Sequence, residues 1–203
     1  MPSIYDLKPA FQGLLRPICR RLAAHGITPN QITLAALLLS LANGAALAGY
    51  PGTAWPLLLL PATLLLRMAL NALDGMLARE HQMQSRLGAV LNELGDVLAD
   101  TFLYLPLALV PGVPAALIVA LVFLATLSEF AGVQAIQIGA TRRYDGPFGK
   151  SDRALLFGTL GLLLGLGLDP GPWLDLLLIA ASALALLTII NRVRGALLSR
   201  EDA

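Results

Sequence analysis

Charged side chains are scarce in this chain of 203 residues: Asp, Glu, Lys and Arg make up 13% of it, about half the share of a soluble domain. There is one cysteine, Cys19, and there are two histidines, His25 and His81. A lone cysteine excludes a disulfide or cysteine-metal framework, and Cys19 is expected to pack in a buried or lipid-facing position. The histidines fall in short polar links and read as solvated loop residues. A formal net charge of +1 gives no basis for a nucleic-acid partner. The opening residues lack a charged segment, short apolar core and small-residue cleavage site in succession, so no removable signal peptide is expected.

What the chain has instead is apolar length. Its residues are 57% hydrophobic and its mean hydropathy is +0.73. A hydrocarbon core of roughly 30 Å takes about 20 residues of helix to cross. Six runs approach that length: Gln31–Tyr50, Ala54–Ala78, Gly88–Val110, Val113–Gly139, Arg153–Leu168 and Trp173–Ile190. They use most of the chain, so the expected fold is all-α, a single polytopic membrane domain over residues 1–203 with six transmembrane helices.

Short cytoplasmic loops collect Lys and Arg, and translocated loops do not. Lys8, Arg16, Arg20 and Arg21 precede the first run, Arg79 and Arg86 join the second and third, Arg142, Arg143, Lys150 and Arg153 join the fourth and fifth, and Arg192, Arg194 and Arg200 follow the sixth. The links at Pro51–Thr53, Pro111–Gly112 and Asp169–Pro172 carry none. Both termini are therefore expected in the cytoplasm.

Ahead of the first run, Leu7, Phe11, Leu15, Ile18 and Leu22 recur at helical spacing. Residues 4–24 are expected to form an amphipathic helix lying in the membrane interface, although the same stripe also suits a dimer contact. Gly13 and Pro17 are expected to bend it.

Residues 71–100, NALDGMLAREHQMQSRLGAVLNELGDVLAD, hold most of the polar chemistry. An ionisable residue at membrane depth costs about 2.5–3.5 kcal/mol even on lenient scales and normally faces a cavity. Arg67, Asn71, Asp74, Gly75 and Ala78 share one face of the second run; Gly88, Asn92, Asp96 and Asp100 recur every fourth residue along the third. The link between the runs is short enough to make them antiparallel neighbours, so the two stripes are expected to meet. Oxygen ligands from Asp and Asn without His or Cys suit Mg²⁺ or Mn²⁺. The small residues Gly75, Ala78 and Gly88 would let a flat group such as a nucleotide diphosphate come close, or would simply let the helices pack.

These residues resemble the CDP-alcohol phosphotransferase family, whose pattern D-x2-D-G-x2-A-R-x8-G-x3-D-x3-D falls on Asn71, Asp74, Gly75, Ala78, Arg79, Gly88, Asn92 and Asp96 without an insertion. Six of these eight positions agree. ITPNQIT before the first run is similar to the family's opening, and RMALNALDGMLARE and GPFGKSDRA resemble its bacterial inner-membrane subgroup. The resemblance implies transfer of a phosphatidyl group from a CDP-linked lipid, usually CDP-diacylglycerol, to an alcohol hydroxyl with release of CMP. It further implies a cytoplasm-facing site in the bacterial inner membrane, contact with membrane lipids, one or two Mg²⁺ or Mn²⁺ ions, and a homodimer. Carried over residue by residue, it makes Asn71, Asp74, Asn92 and Asp96 the metal-binding positions and Asp96 the general base. Gly75, Ala78, Arg79 and Gly88 then hold the CDP moiety.

The pattern departs from the family where its first and third aspartates are Asn71 and Asn92. Two formal negative charges remain in the ligand set, against +4 from two divalent ions. Either Asp100 and Glu93 contribute, or one ion is bound, or the site no longer catalyses. Arg67 and Asp100 each lie one turn deeper than the motif and are expected to pair, because a buried charge without a partner is heavily penalised. Arg142, Lys150, Arg153 and Arg192 are candidate contacts for a phosphorylated acceptor, or else ordinary positive-inside charge or lipid headgroup contacts. Asp152 reads as part of a helix N-terminal pair. Glu129 has no obvious basic neighbour in sequence, and is expected to be protonated or hydrogen-bonded to another helix. Two other functions compete with the transferase: a catalytically degenerate relative that binds CDP-lipid or a protein partner, and a small transporter.

Overall fold

A computed structural model describes residues 4–199, with side chains from Phe11 onward; Leu7 and Lys8 have side chains outside that range, and Arg200 lies beyond it. Among the described residues seven α-helices follow one another: α1 (Ile4–Ala24), α2 (Pro29–Gly49), α3 (Ala54–Glu80), α4 (Arg86–Tyr104), α5 (Ala115–Gln134), α6 (Lys150–Gly165) and α7 (Pro172–Leu198). Short 3₁₀ turns extend α4 over Leu105–Leu109 and α5 over Ala135–Ile138. No strand occurs among the described residues.

Among the described residues four helices are long and apolar enough to cross a membrane: α2, α3, α5 with its 3₁₀ turn, and α7. The other two expected spans differ for separate reasons. α6 has 16 residues, about 24 Å at 1.5 Å per residue. α4 is a continuous helix of 19 residues, but its apolar run is broken by Glu93, Asp96 and Asp100, the same acids that mark it chemically.

The chain divides into two compact units. The first comprises the chain through Ala42 and Ala62–Ala99. Its core joins Leu15 and Cys19 of α1 to Ile32 of α2 and Leu73, Met76 and Leu77 of α3, with Phe11 and Leu22 packed against them. The stripe on α1 is thus divided. Leu15 is buried and Cys19 fully so, whereas Ile18 and the neighbouring Leu14 are exposed. α1 runs through Gly13 and Pro17 as one helix. Arg16 ties it to the end of α3 through an ion pair with Glu80 at 3.0 Å. Thr28 and Gln31 cap α2 reciprocally: the Thr28 amide donates to Gln31 Oε1 at 2.9 Å, and the Gln31 amide to Thr28 Oγ1 at 3.4 Å.

The second unit comprises Asn43–Pro61 and the chain from Asp100. Its helices approach closely where side chains are missing. A Cβ at Gly161 of α6 would meet the Leu57 carbonyl at 2.9 Å, and one at Gly165 would meet Leu58 Cγ at 2.8 Å. Two glycines four residues apart let α6 lie against the first turns of α3, beside Pro61, which cannot donate to the Leu57 carbonyl. Tyr104 and Phe157 stack with centroids 4.0 Å apart. The loop before α6 is anchored by the Phe148 amide, which donates to Thr188 Oγ1 at 3.0 Å. The preceding Gly146 has φ +125°, and a Cβ there would collide with Thr188. Asp152 accepts from the Gly149 amide at 2.8 Å, capping α6.

Candidate active site

Within the first unit, the N-terminal end of α2, the C-terminal half of α3 and the first half of α4 surround a cleft of about 580 Å³. α3 contributes Asp74, Gly75, Ala78 and Arg79; α4 contributes Gly88, Ala89 and Asn92. Six of the eight motif positions therefore line one hollow. α2 adds Pro29, Asn30 and Thr33, and residues 83–86 close the remaining side. Gln82, in the link, takes a left-handed φ of +56°, which turns the chain tightly from α3 into α4.

The small residues are needed where they stand. A Cβ at Gly88 would fall 2.8 Å from Asn30 Oδ1 and 3.0 Å from Ser85 Oγ. At Gly75 it would meet the Arg79 guanidinium at 2.9 Å. Gly75 thus leaves room for the Arg79 guanidinium to lie back over its own helix at the cleft, and Gly88 lets α2 approach α4.

Asp74 is buried and accepts a hydrogen bond from Thr33 Oγ1 at 2.8 Å. That hydroxyl also lies 3.1 Å from the Pro29 carbonyl, so its single proton has two acceptors. Thr33 was not singled out in the sequence, because a threonine in an apolar helix is unremarkable until its partner 41 positions away is known.

Asn71 and Asp96 are set off from the lining and bond to each other. Asn71 Nδ2 donates to Asp96 Oδ1 at 3.1 Å. Arg67 donates to the Asp96 backbone carbonyl at 3.1 Å, and its guanidinium lies 3.5 Å from Asp96 Oδ1. Asp100, in the second unit, accepts two hydrogen bonds from Arg153 at 3.2 and 3.0 Å.

The basic residues proposed for an acceptor have acidic company in the second unit. Arg153 pairs with Asp100 and with Glu129 at 2.9 Å, Arg142 pairs with Glu129 at 3.2 Å, and Arg192 lies 3.4 Å from Glu129. Arg153 and Arg192 are 1% and 2% exposed, so neither is open cationic surface. Lys150, at the start of α6, is half-buried. Glu129, expected to be protonated or hydrogen-bonded to another helix, accepts a hydrogen bond from Arg153 of α6, and Arg142 from the loop after α5 and Arg192 from α7 also reach it. In the adjoining loop the Arg143 guanidinium, hydrogen-bonded to Asp145 at 2.7 and 2.9 Å, holds the Asp145 carboxyl below its ordinary pKa.

Among the described residues no three His, Cys, Asp or Glu side chains gather as a metal-ligand set. The donors at the cleft and beside it are the carboxylates of Asp74 and Asp96 and the amides of Asn71 and Asn92. Hard oxygen donors of this kind suit a divalent cation such as Mg²⁺ or Mn²⁺.

The family model for CDP-alcohol phosphatidyltransferases matches residues 26–190. The chain belongs to the CDP-alcohol phosphatidyltransferase family. Members of this family are transferases, and this chain is 51% identical to inner membrane protein YnbA of Escherichia coli (strain K12) over 198 residues, 97% of each chain. It is 34% identical over 103 residues to archaetidylinositol phosphate synthase of Pyrococcus horikoshii, about half of each chain. The fold is similar to that of Mycobacterium tuberculosis phosphatidylinositol phosphate synthase. The structure solved with CDP-DAG bound superposes with a TM-score of 0.74 at 20% identity, covering 89% of this chain and 92% of that one. The structure in complex with manganese and citrate gives 0.74 at 21% identity, covering 89% and 87%.

Proposed function

We propose that this member of the CDP-alcohol phosphatidyltransferase family transfers a phosphatidyl group from CDP-diacylglycerol to an alcohol, with release of CMP. The observation that carries the reading is the convergence of Asp74, Gly75, Ala78, Arg79, Gly88 and Asn92 on one cleft. Carboxylate and amide oxygens stand there beside a guanidinium and bare backbone, a combination suited to a nucleotide diphosphate.

In the proposed reaction the acceptor oxygen bonds to the lipid-side phosphorus, the P–O bond to CMP breaks, and the hydroxyl proton passes to Asp96. Arg79 binds the diphosphate and Asp74, steadied by Thr33, helps hold a divalent ion together with the Asn92 amide. Asn71 fixes the orientation of the Asp96 carboxylate. The ion, when bound, offsets negative charge developing on the leaving CMP. The Asp96 carboxylate supplies general-base catalysis.

The same reading places the chain in the bacterial inner membrane as one domain of six spans. α4 crosses despite its acids and α6 despite its length. Both termini and the cleft face the cytoplasm, and two copies form a homodimer. The marked inside bias of Lys and Arg and the identity to an inner membrane protein support this placement.

Incubating purified protein with CDP-diacylglycerol, Mg²⁺ or Mn²⁺ and a panel of alcohols tests the reading through CMP release. A second reading, a member that binds CDP-lipid without turnover, draws on the Asn71 amide that engages Asp96 directly. Tight CDP binding with no CMP from any acceptor would select it.

A further inference from the structure

Three guanidiniums around the two oxygens of one anion is an arrangement by which proteins hold phosphate. In this chain the anion is already part of the protein. Glu129 Oε1 lies 2.9 Å from Arg153, and Oε2 lies 3.2 Å from Arg142 and 3.4 Å from Arg192. Asp100 adds a second carboxylate at 3.0 Å from Arg153. The five side chains together carry one net positive charge. Arg192 is further committed to the Ser128 carbonyl.

The cluster retains spare capacity for an oxyanion. Arg153 Nη1 and Arg192 Nε are buried with no hydrogen-bond partner among the described residues. A phosphate dianion using them would lie within a few ångströms of the Glu129 carboxylate, and like charges set together at a binding site are strongly disfavoured. An uncharged hydroxyl compound meets no such repulsion.

We propose that Glu129 stands in for a phosphate among these arginines, and that the alcohol accepted by this protein therefore carries no phosphate group. The inference deepens the transferase reading and rests on the Arg142–Arg153–Arg192 cluster serving the acceptor. It makes Glu129 a determinant of acceptor specificity.

Two measurements on the full-length protein in detergent test it. In the first, inorganic phosphate is titrated calorimetrically with CDP present to fill the nucleotide cleft. Wild type is expected to show no saturable binding, and Glu129→Gln to bind phosphate at least about a hundredfold more tightly. In the second, CMP release from CDP-diacylglycerol is compared for a polyol and its monophosphate. Wild type is expected to use the polyol, and Glu129→Gln to narrow the gap. Saturable phosphate binding by wild type, preference of wild type for the monophosphate, or a folded Glu129→Gln that gains no phosphate binding would each overturn the proposal. Should Glu129→Gln fail to fold, the two wild-type results decide alone. Absence of CMP with every acceptor counts against the transferase reading, and the phosphate titration still judges Glu129.

Discussion

Asn71 of α3 and Asp96 of α4 are joined by a direct amide-to-carboxylate hydrogen bond of 3.1 Å. Two carboxylates at that separation would repel and call for a cation between them; here an N–H fills the gap, and Arg67 adds its charge 3.5 Å from the same oxygen. This side of the site therefore has less need of a metal ion. The Asn71→Asp, Asn92→Asp double variant is expected to bind one more Mn²⁺ than wild type, counted by electron paramagnetic resonance titration. An equal count in the two proteins would refute the idea that the amides lower the metal stoichiometry.

Thr33 of α2 holds Asp74 of α3 through its side-chain hydroxyl. Groups that orient a metal ligand are typically worth about 10- to 100-fold in metal affinity or activity. Thr33→Val is expected to weaken Mn²⁺ binding within that range, while Thr33→Ser, which keeps the hydroxyl, stays near wild type. The same titration distinguishes them; equal affinities for the Val and Ser variants would leave the hydrogen bond without a role.

A Cβ at Gly88 would fall 2.8 Å from Asn30 Oδ1 and 3.0 Å from Ser85 Oγ, so a side chain there displaces both. Forcing extra methyl groups into a packed contact costs about 1–3 kcal/mol, equivalent to about five- to 150-fold in a binding constant where the ligand shares the space. Gly88→Val is expected to weaken CDP binding by that factor, measured by calorimetry. Gly75→Ala should act more gently, because the group it meets is the flexible end of Arg79.

Arg153 serves two acids at once, Asp100 and Glu129, and is 1% exposed. Its removal takes a partner from the buried Asp100 and one of three arginines from Glu129, and breaking a buried pair in this way costs about 3–5 kcal/mol. Arg153→Ala is expected to unfold at a clearly lower temperature in detergent. Arg142→Ala, which removes a more exposed partner of Glu129, should cost less. Equal unfolding temperatures for Arg153→Ala and wild type would contradict the role given to the cluster.

Burial pushes the Cys19 thiol up from its ordinary pKa; Glu80 adds to the shift and Arg16 opposes it. A group whose folded pKa is raised stabilises the fold fully below its unfolded value and loses that contribution as pH rises through the folded one. Alkylation requires the thiolate, so labelling of the native protein by iodoacetamide should be slow near pH 8 and rise steeply above it. Protein unfolded in dodecyl sulfate should label at the rate of a free thiol. Rapid native labelling at pH 8 would show that Cys19 is not held in the core of α1, α2 and α3.

Sequence alone determined the all-helical class, the approximate limits of the apolar helices and the stripes on α3 and α4, because helical periodicity and the cost of charge in an apolar chain are properties of neighbouring residues. The positions that line the cleft were legible for the same reason, since residues four apart share a helix face. The tertiary structure decided which charges meet. Glu129 finds Arg142, Arg153 and Arg192 from 13, 24 and 63 positions along the chain, Asp74 finds Thr33, and the apolar stripe of α1 turns partly onto protein. Pairings at such separations depend on how helices pack, and packing is set by small residues and volumes spread across several elements, which no local pattern records.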